Sequence, residues 1–365
     1  MRLRRSLSTN PVKVGFCVPC FLWGGVESWI DTLSAAVDPD LVQWTGMAIA
    51  YPFTRAEALL ARVAKRMPIY EAGASMTKSA AANAALRGAD VALVYGFHAL
   101  SETLCDFSGK VVFVNHGVGS FTADVMRKNA ERIDHVVAVS PASGAIARQI
   151  FPTKTSVVLN GIESSRCITK VGAAKTRREL GLPADAVVVA YVGRLSPEKH
   201  PAAAAAAVGA LGPGFYALYM TSMSSIEQDS AARTQLEGLS GGRIAFAAPE
   251  SHLGDILAAS DCLVNASYEE GYGLAVIEAM FAGVPVIATA TGILPDLESR
   301  YGALAVCVPF AAPPEVLADA VLVAVSPDWR SKTSKSRGVV ERELTAAKMA
   351  RGWESVLATV GRGAV

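Results

Sequence analysis

Short apolar runs alternate along this chain with segments in which apolar residues recur every third or fourth position. In the first half, the apolar runs predict strands at 12–18, 44–50, 91–95, 111–115, 135–139 and 155–159. The segments between them predict helices at 56–66, 77–88 and 123–132. A strand, a glycine turn and a helix open the series, and this alternation is typical of a doubly wound parallel sheet with right-handed crossovers.

The second half repeats the alternation after a polar, basic stretch that ends near Arg178. It predicts strands at 187–192, 216–220, 244–246, 262–265, 284–288 and 305–308. Because 365 residues exceed what one hydrophobic core usually supports, two domains are expected. The sequence therefore predicts an α/β protein of two Rossmann-like domains, 1–165 and 166–344.

Composition narrows the class of partner. The chain is 51% hydrophobic, 18% charged and carries a net charge of +1, which argues against nucleic acid. Residues 1–160 hold 16 basic and 12 acidic residues, and the rest hold 18 and 21, so the halves are +4 and −3. This asymmetry indicates either an anionic acceptor or membrane surface on the first domain, or ordinary surface variation.

The cysteines and the N-terminus bear on the compartment. Cys17 and Cys20 have C-x-x-C spacing without a second pair, which favours two strand-end thiols in a reducing cytoplasm over a zinc or redox site. Three arginines, Arg2, Arg4 and Arg5, precede an apolar stretch that imitates a signal peptide, but prolines interrupt it. Without an apolar run of spanning length, we expect a cytoplasmic protein, or one that also contacts the inner face of the membrane.

Glu278 is the only charged residue between Leu274 and Thr289. We expect a helix from about Gly273 to Ala282, capped by Gly283. A buried carboxylate needs a partner, and the neighbouring residues supply none. Glu270 precedes Gly-Tyr-Gly at the start of this helix, where free N–H groups attract anions. Two such carboxylates suit a nucleotide sugar; alternatively, Glu278 pairs with a distant arginine and Glu270 is a solvated loop residue.

A second cluster of charges follows the apolar strand that ends at Val192. Arg194 comes directly after this strand, and Lys199 lies near the start of the next helix. Open α/β sheets bind ligands at this carboxyl edge. A guanidinium and an ammonium placed there could neutralise a departing diphosphate.

These motifs resemble those of a known family. The stretch 268–289 resembles the E-x7-E signature of retaining glycosyltransferases of family 4, whose two Rossmann-like domains face each other across a cleft (the GT-B fold). Residues 193–199 resemble the G-R-x-x-x-x-K element of the same family. The resemblance implies the catalytic residues His116, Arg194, Lys199 and Glu270. It implies donor-binding roles for Gly24, Gly25, Arg194, Lys199, Glu250, Glu270, Gly271, Tyr272, Gly273, Leu274 and Glu278.

The resemblance also implies an activity. The chain would transfer a hexose from a UDP- or GDP-sugar to a hydroxyl acceptor, which is a saccharide, a lipid-linked molecule or a small molecule. The anomeric configuration would be retained, and no metal or cofactor is implied because the cations of these motifs are side chains. A terminal helix, 345–365, would pack back on the first, acceptor-binding domain, where His98 either binds acceptor or is structural. His200, Ala248 and Ile293 depart from the family pattern and leave the donor open.

Two alternative functions share these motifs. One is a catalytically idle nucleotide-sugar-binding protein, and the other is a different GT-B enzyme, such as a sugar-nucleotide epimerase. Release of a nucleoside diphosphate from a donor sugar would separate the idle protein from an enzyme.

Overall fold

The computed structural model describes residues 10–51, 56–96, 100–221 and 226–362, so His98 and the N-terminal arginines lie outside the described residues. The strands are β1 (Val12–Val18), β2 (Val42–Ile49), β3 (Ile69–Glu71), β4 (Val91–Val94), β5 (Lys110–Asn115), β6 (His135–Ala138), β7 (Thr155–Val157), β8 (Val187–Val192), β9 (Phe215–Met220), β10 (Ile244–Ala247), β11 (Cys262–Asn265), β12 (Val286–Ala288) and β13 (Val306–Cys307).

The α-helices cover the two sheets and connect their strands. They are α1 (Gly25–Ala36), α2 (Glu57–Val63), α3 (Lys78–Ala85), α4 (Leu100–Thr103), α5 (Ser120–Lys128), α6 (Pro141–Ile150), α7 (Ser164–Cys167), α8 (Ala173–Glu179), α9 (Ala202–Leu211), α10 (Ile226–Ser240), α11 (Leu253–Ala258), α12 (Leu274–Ala282), α13 (Leu294–Tyr301), α14 (Pro314–Val325), α15 (Pro327–Glu343) and α16 (Ala346–Gly361). A 3₁₀ turn spans Pro197–Lys199.

The strands form two separate sheets, and their pairings are parallel. The first sheet has the order β3-β2-β1-β4-β5-β6-β7, and the second has the order β10-β9-β8-β11-β12-β13. Both orders reverse direction next to the first strand of the unit, as in doubly wound sheets. The fold is therefore the predicted pair of Rossmann-like α/β units.

Hydrophobic burial explains why the apolar runs became central strands. In β8 the residues Val188–Tyr191 are all buried, and β4 and β11 are buried along their whole length. Parallel strands covered by helices on both faces need such continuous apolar sequences, since each side chain meets a core. The predicted cap of α12 is also confirmed, because Gly283 ends the helix in the left-handed conformation with φ +77°.

Two connections join the units near residue 162. The backbone N–H of Ile162 donates to the Leu344 carbonyl over 2.9 Å, and that of Ala346 donates to the Ile162 carbonyl over 3.1 Å. The terminal helix α16 then packs on α1 of the first unit, where the rings of Trp353 and Trp29 have centroids 5.5 Å apart. The chain thus crosses from the first unit to the second and returns, which fixes the two carboxyl edges opposite each other.

No helix within the described residues combines the length and the apolar character that crossing a membrane requires.

Candidate functional site

A cleft of about 900 Å³, including its solvent-open part, separates the carboxyl edges of the two sheets. The first unit contributes the residues that follow β1, including Gly24, Gly25 and Ser28. The second unit contributes the ends of β8, β9 and β11 and the start of α12, and the connecting segment contributes Arg166. Its position at these edges is that of a small-ligand site in open α/β sheets.

Lys199 and Glu270, two of the predicted site residues, form an ion pair in this cleft. The Lys199 Nζ lies 2.8 Å from Glu270 Oε2, and the side chains are 19% and 12% exposed. Glu270 also accepts a hydrogen bond from the Ser267 hydroxyl over 2.9 Å. The loops that carry these residues follow β8 and β11, which are neighbouring strands of one sheet. Lys199 and Glu270 are therefore in contact although 71 residues separate them in sequence.

Arg194 lies on the same loop as Lys199 and is more exposed. Its Nη2 donates to Glu198 Oε1 over 2.9 Å, and the two side chains are 57% and 39% exposed. The Ser196 hydroxyl donates to the same carboxylate oxygen over 2.6 Å. An exposed pair of this kind is weak, so the guanidinium can exchange Glu198 for an anionic ligand in the cleft.

The partner of Glu278 is Arg166, a residue that the sequence reasoning missed. The Arg166 Nε donates to Glu278 Oε1 over 2.8 Å, and the side chains are 24% and 7% exposed. The alternative of a distant arginine partner was thus correct for Glu278, although both side chains also line the cleft. The signal that could have identified Arg166 is the unmatched buried carboxylate together with a basic connecting segment.

Two helix amino termini open into the cleft from opposite sides. The N-cap residues are Gly24 for α1 and Gly273 for α12, and glycine has no side chain to satisfy the first N–H groups. The termini approach closely, since a Cβ on Gly25 would lie 3.3 Å from Leu274 Cδ1. In the first turn of α1 the Glu27 N–H donates to its own carboxyl group. The other first-turn amides and the helix dipoles favour an anion between the termini.

His116, Gly271 and Tyr272 lie where the two units touch. A Cβ on Gly271 would overlap the backbone carbonyl of His116, so the contact requires glycine. The Tyr272 hydroxyl donates to the Asn160 carbonyl of the first unit over 2.5 Å. The ring of His116 packs edge-on against Trp29 with centroids 4.7 Å apart. Burial lowers the pKa of His116 to about 3, so its imidazole is neutral near pH 7.

Glu27 lies beneath the glycine loop that lines the cleft. Its carboxyl group is buried, and burial raises its pKa to about 7, although Arg194 and hydrogen bonds oppose the shift. The Tyr95 hydroxyl lies 3.3 Å from Glu27 Oε1. Cys20 is nearby, and burial followed by the charge of Glu27 raises the pKa of its thiol to about 11. Cys17 and Cys20 are free thiols.

The remaining predicted residue, Glu250, is exposed, and its neighbour Pro249 lines the cleft. In the described ranges, no three His, Cys, Asp or Glu side chains come together as ligands for a metal ion.

Two Rossmann-like units that face each other across such a cleft define the GT-B fold, and solved structures share it. Anabaena Alr3699/HepE, in complex with UDP and glucose, superposes with a TM-score of 0.79 at 16% identity, over 95% of this chain and 100% of that one. Sucrose-phosphate synthase from Thermosynechococcus elongatus superposes with a TM-score of 0.72 at 21% identity, over 97% and 100%.

Sequence comparison shows that the second unit is similar to glycosyl transferases. Residues 186–326, which run from β8 to α14, match the family model described as glycosyl transferases group 1. A D-inositol 3-phosphate glycosyltransferase of Actinosynnema mirum is 33% identical over 156 residues, 40% of this chain and 37% of that protein. The chain thus spans little more than a third of the length of that curated relative. The segment that matches the family model contains Arg194, Lys199, Glu270 and Glu278.

Proposed function

We propose that this chain is a retaining, metal-independent glycosyltransferase that moves a hexose from a UDP- or GDP-sugar to a hydroxyl acceptor. The observation that carries the proposal is the cleft itself. It holds the ion pairs Lys199–Glu270 and Arg166–Glu278 between two uncapped helix termini. The match of this segment to group 1 glycosyl transferases supports the same reaction class.

The donor diphosphate would lie between the amino ends of α1 and α12. Backbone N–H groups at Gly25 and Leu274 supply donors there, and Lys199 and Arg194 supply positive charge. Charge develops on the diphosphate as it leaves, so these groups act mainly in the transition state. Because side chains and helix dipoles provide the positive charge, the proposal needs no metal ion.

The two carboxylates would select the sugars of the donor. Glu270 accepts hydrogen bonds from hydroxyls of the transferred hexose, and Glu278 accepts them from the nucleoside ribose. Each carboxylate is paired with a cation, which holds it in one orientation within the cleft. A hydroxyl-rich ligand can share these oxygens with Lys199 and Arg166 because a carboxylate accepts several hydrogen bonds.

Retention of configuration requires that the acceptor attack from the face that the diphosphate leaves. In this step the bond from the anomeric carbon to the phosphate oxygen breaks, and a bond to the acceptor oxygen forms. The acceptor proton passes to a phosphate oxygen of the departing diphosphate, so no protein base is needed. Neutral His116, beside Trp29, can offer only a single N–H donor to the hexose.

The first unit would bind the acceptor, since its carboxyl edge forms the opposite wall of the cleft. The match to the family model begins at residue 186 and so does not include this unit. We place the reaction in a reducing compartment because the six cysteines are free thiols. If the acceptor is lipid-linked, we propose that the protein acts at the inner face of the membrane.

Release of nucleoside diphosphate tests the proposal. The protein is incubated with UDP-glucose, UDP-N-acetylglucosamine, GDP-mannose and ADP-glucose, each with and without saccharide, lipid-linked and small-molecule acceptors. We expect one donor to release its diphosphate, faster with acceptor, and the product to keep the donor's anomeric configuration by NMR. EDTA should leave the rate unchanged.

Binding measurements separate the two alternatives. A nucleotide at a hundred times its Kd should stabilise the fold by about 2.7 kcal/mol, which thermal unfolding detects. Stabilisation without release of diphosphate from any donor would favour the idle binding protein. Conversion of the donor into an isomer would favour the epimerase, and neither binding nor release would overturn the assignment of the cleft.

A further inference from the structure

His200 adopts a backbone conformation that glycine would adopt more easily. Its φ is +46° and its ψ is +56°, in the left-handed region. Among the described non-glycine residues, only His200 and Ala311 have positive φ. A side chain at such a position is strained and persists where its surroundings hold it. His200 directly follows Lys199, so whatever holds His200 also limits the movement of Lys199.

The side chain of His200 is held by Tyr268. The two rings stack with centroids 5.1 Å apart and an interplanar angle of 20°. Tyr268 belongs to the loop of Glu270, and its hydroxyphenyl ring is on the surface, with the residue 40% exposed. An exposed ring on a loop is ordinarily free to move, so the stack restricts both loops at once.

Three further contacts join the same loops. The Tyr268 N–H donates to the Glu198 carbonyl over 2.8 Å. The Lys199 Nζ contacts Glu270 Oε2 at 2.8 Å and donates to the Glu269 carbonyl over 3.3 Å. The ammonium group is thus the end of a flexible side chain whose base is fixed by the ring stack. Small displacements of such a group cost catalysis because charge must be met at a defined position.

We propose that His200 and Tyr268 form a positioning pair that fixes Lys199 against Glu270. Neither ring lines the cleft, so the pair acts through Lys199 and does not touch the donor. Its catalytic consequence rests on the function proposed above, whereas its effect on Lys199 does not.

Four variants isolate the ring stack from the backbone. His200→Gly removes both the ring and the strain, and His200→Asn removes the ring but keeps a residue that tolerates positive φ. Tyr268→Ala removes the other ring, and Tyr268→Phe retains it. Ala311→Gly is the matched control, because it relieves the same backbone strain in an exposed loop away from the cleft.

The first readout is the rate at which an acylating reagent modifies the Lys199 amine, followed by peptide mass spectrometry. Exposed Lys175 serves as the internal reference. We expect Lys199 to react about two- to tenfold faster in His200→Gly, His200→Asn and Tyr268→Ala, as loss of one aromatic pair loosens the loop. Tyr268→Phe and Ala311→Gly should match the wild type. Unchanged Lys199 reactivity in the three ring-loss variants would overturn the proposal.

The second readout is the release of nucleoside diphosphate from UDP-glucose and GDP-mannose. In the ring-loss variants we expect kcat to fall about ten- to a hundredfold, with little change in the KM of the donor. The double variant of His200→Gly with Tyr268→Ala should lose no more than either single variant, since one contact is shared. Wild-type kcat with increased Lys199 reactivity would overturn the catalytic consequence. If the wild type releases neither diphosphate while Lys199 reactivity changes, the proposed function fails and the positioning pair stands.

Discussion

Arg166, in the segment that connects the two Rossmann-like units, holds Glu278 of the second unit through an Nε–Oε1 hydrogen bond of 2.8 Å. The contact bridges 112 residues of sequence and explains how the apolar helix α12 carries a nearly buried carboxylate. It also places a cation from the connecting segment in the wall of the cleft. The geometry of this segment and the orientation of Glu278 are therefore linked.

Replacing Arg166 by alanine should weaken nucleotide binding. Glu278 would lose the charge-assisted hydrogen bond that holds it in the orientation proposed for ribose binding. Such a bond is worth about 1.5–3 kcal/mol, or about ten- to a hundredfold in Kd. Isothermal titration with UDP and GDP measures the change for whichever nucleotide binds the wild type. Arg337→Ala, which breaks an exposed pair with Glu341, is the control and should bind normally. Equal affinity of Arg166→Ala and wild type would show that the pair is structural only.

Removing either member of the Lys199–Glu270 pair should nearly abolish transfer. In the proposed reaction Lys199→Ala takes away charge that stabilises the leaving diphosphate, and loss of one such group costs about 10²–10³ in kcat. Glu270→Ala removes the proposed acceptor for the hexose hydroxyls and leaves the Lys199 ammonium without its partner. Steady-state assays of diphosphate release measure both. Lys175→Ala, at an exposed pair with Glu179, should retain full activity; wild-type turnover by Lys199→Ala would remove Lys199 from the site.

Gly271→Ala should uncouple the two units without unfolding them. The added Cβ would overlap the His116 carbonyl, so the units must separate to accommodate it. We expect a fall in kcat of about a hundredfold, the effect of moving reacting groups by about 1 Å. Small-angle scattering should report a larger radius of gyration. Gly73→Ala is the control, because an added Cβ at Gly73 meets no atom within 4 Å, and it should change neither kcat nor the radius of gyration. An unchanged radius of gyration in Gly271→Ala would contradict the separation of the units.

Central strands were predicted well because burial on both faces leaves a clear sequence pattern. Strands β1, β8 and β11 have the predicted bounds, since every residue in them meets a core or a neighbouring strand. The short edge strand β3 was missed because its three residues are only half-buried. Helix α15 was also missed, because most of its residues are polar and it is held by packing against α12.

The candidate site was predictable as far as its residues follow the ends of buried strands. Lys199 and Glu270 could be placed together because β8 and β11 are neighbours in a doubly wound sheet. Arg166 could not, since its position depends on how the connecting segment passes the second unit. His200 was noticed as a departure from the family pattern, but its stack on Tyr268 could not be predicted, because the two residues lie on different loops. The pattern of apolar residues predicts which strands are neighbours, but it does not predict how the side chains of the connecting loops contact one another.

Glu27→Gln should change how stability depends on pH. Burial raises the pKa of Glu27 from 4.5 to about 7, so between these values the folded protein binds more protons than the unfolded chain. Its stability therefore falls as pH rises through this window, by up to a few kcal/mol, and Glu27→Gln should escape this loss. His116 has the opposite dependence, with stability lost as pH falls from 6.5 toward 3, but it is common to both proteins and cancels in their difference. Urea unfolding at about pH 5 and about pH 8 measures that difference. The control is Glu315→Gln at an exposed position, whose free energy of unfolding relative to the wild type should be the same at both pH values. If Glu27→Gln also showed no change between the two pH values, the raised pKa of Glu27 in the folded protein would be contradicted.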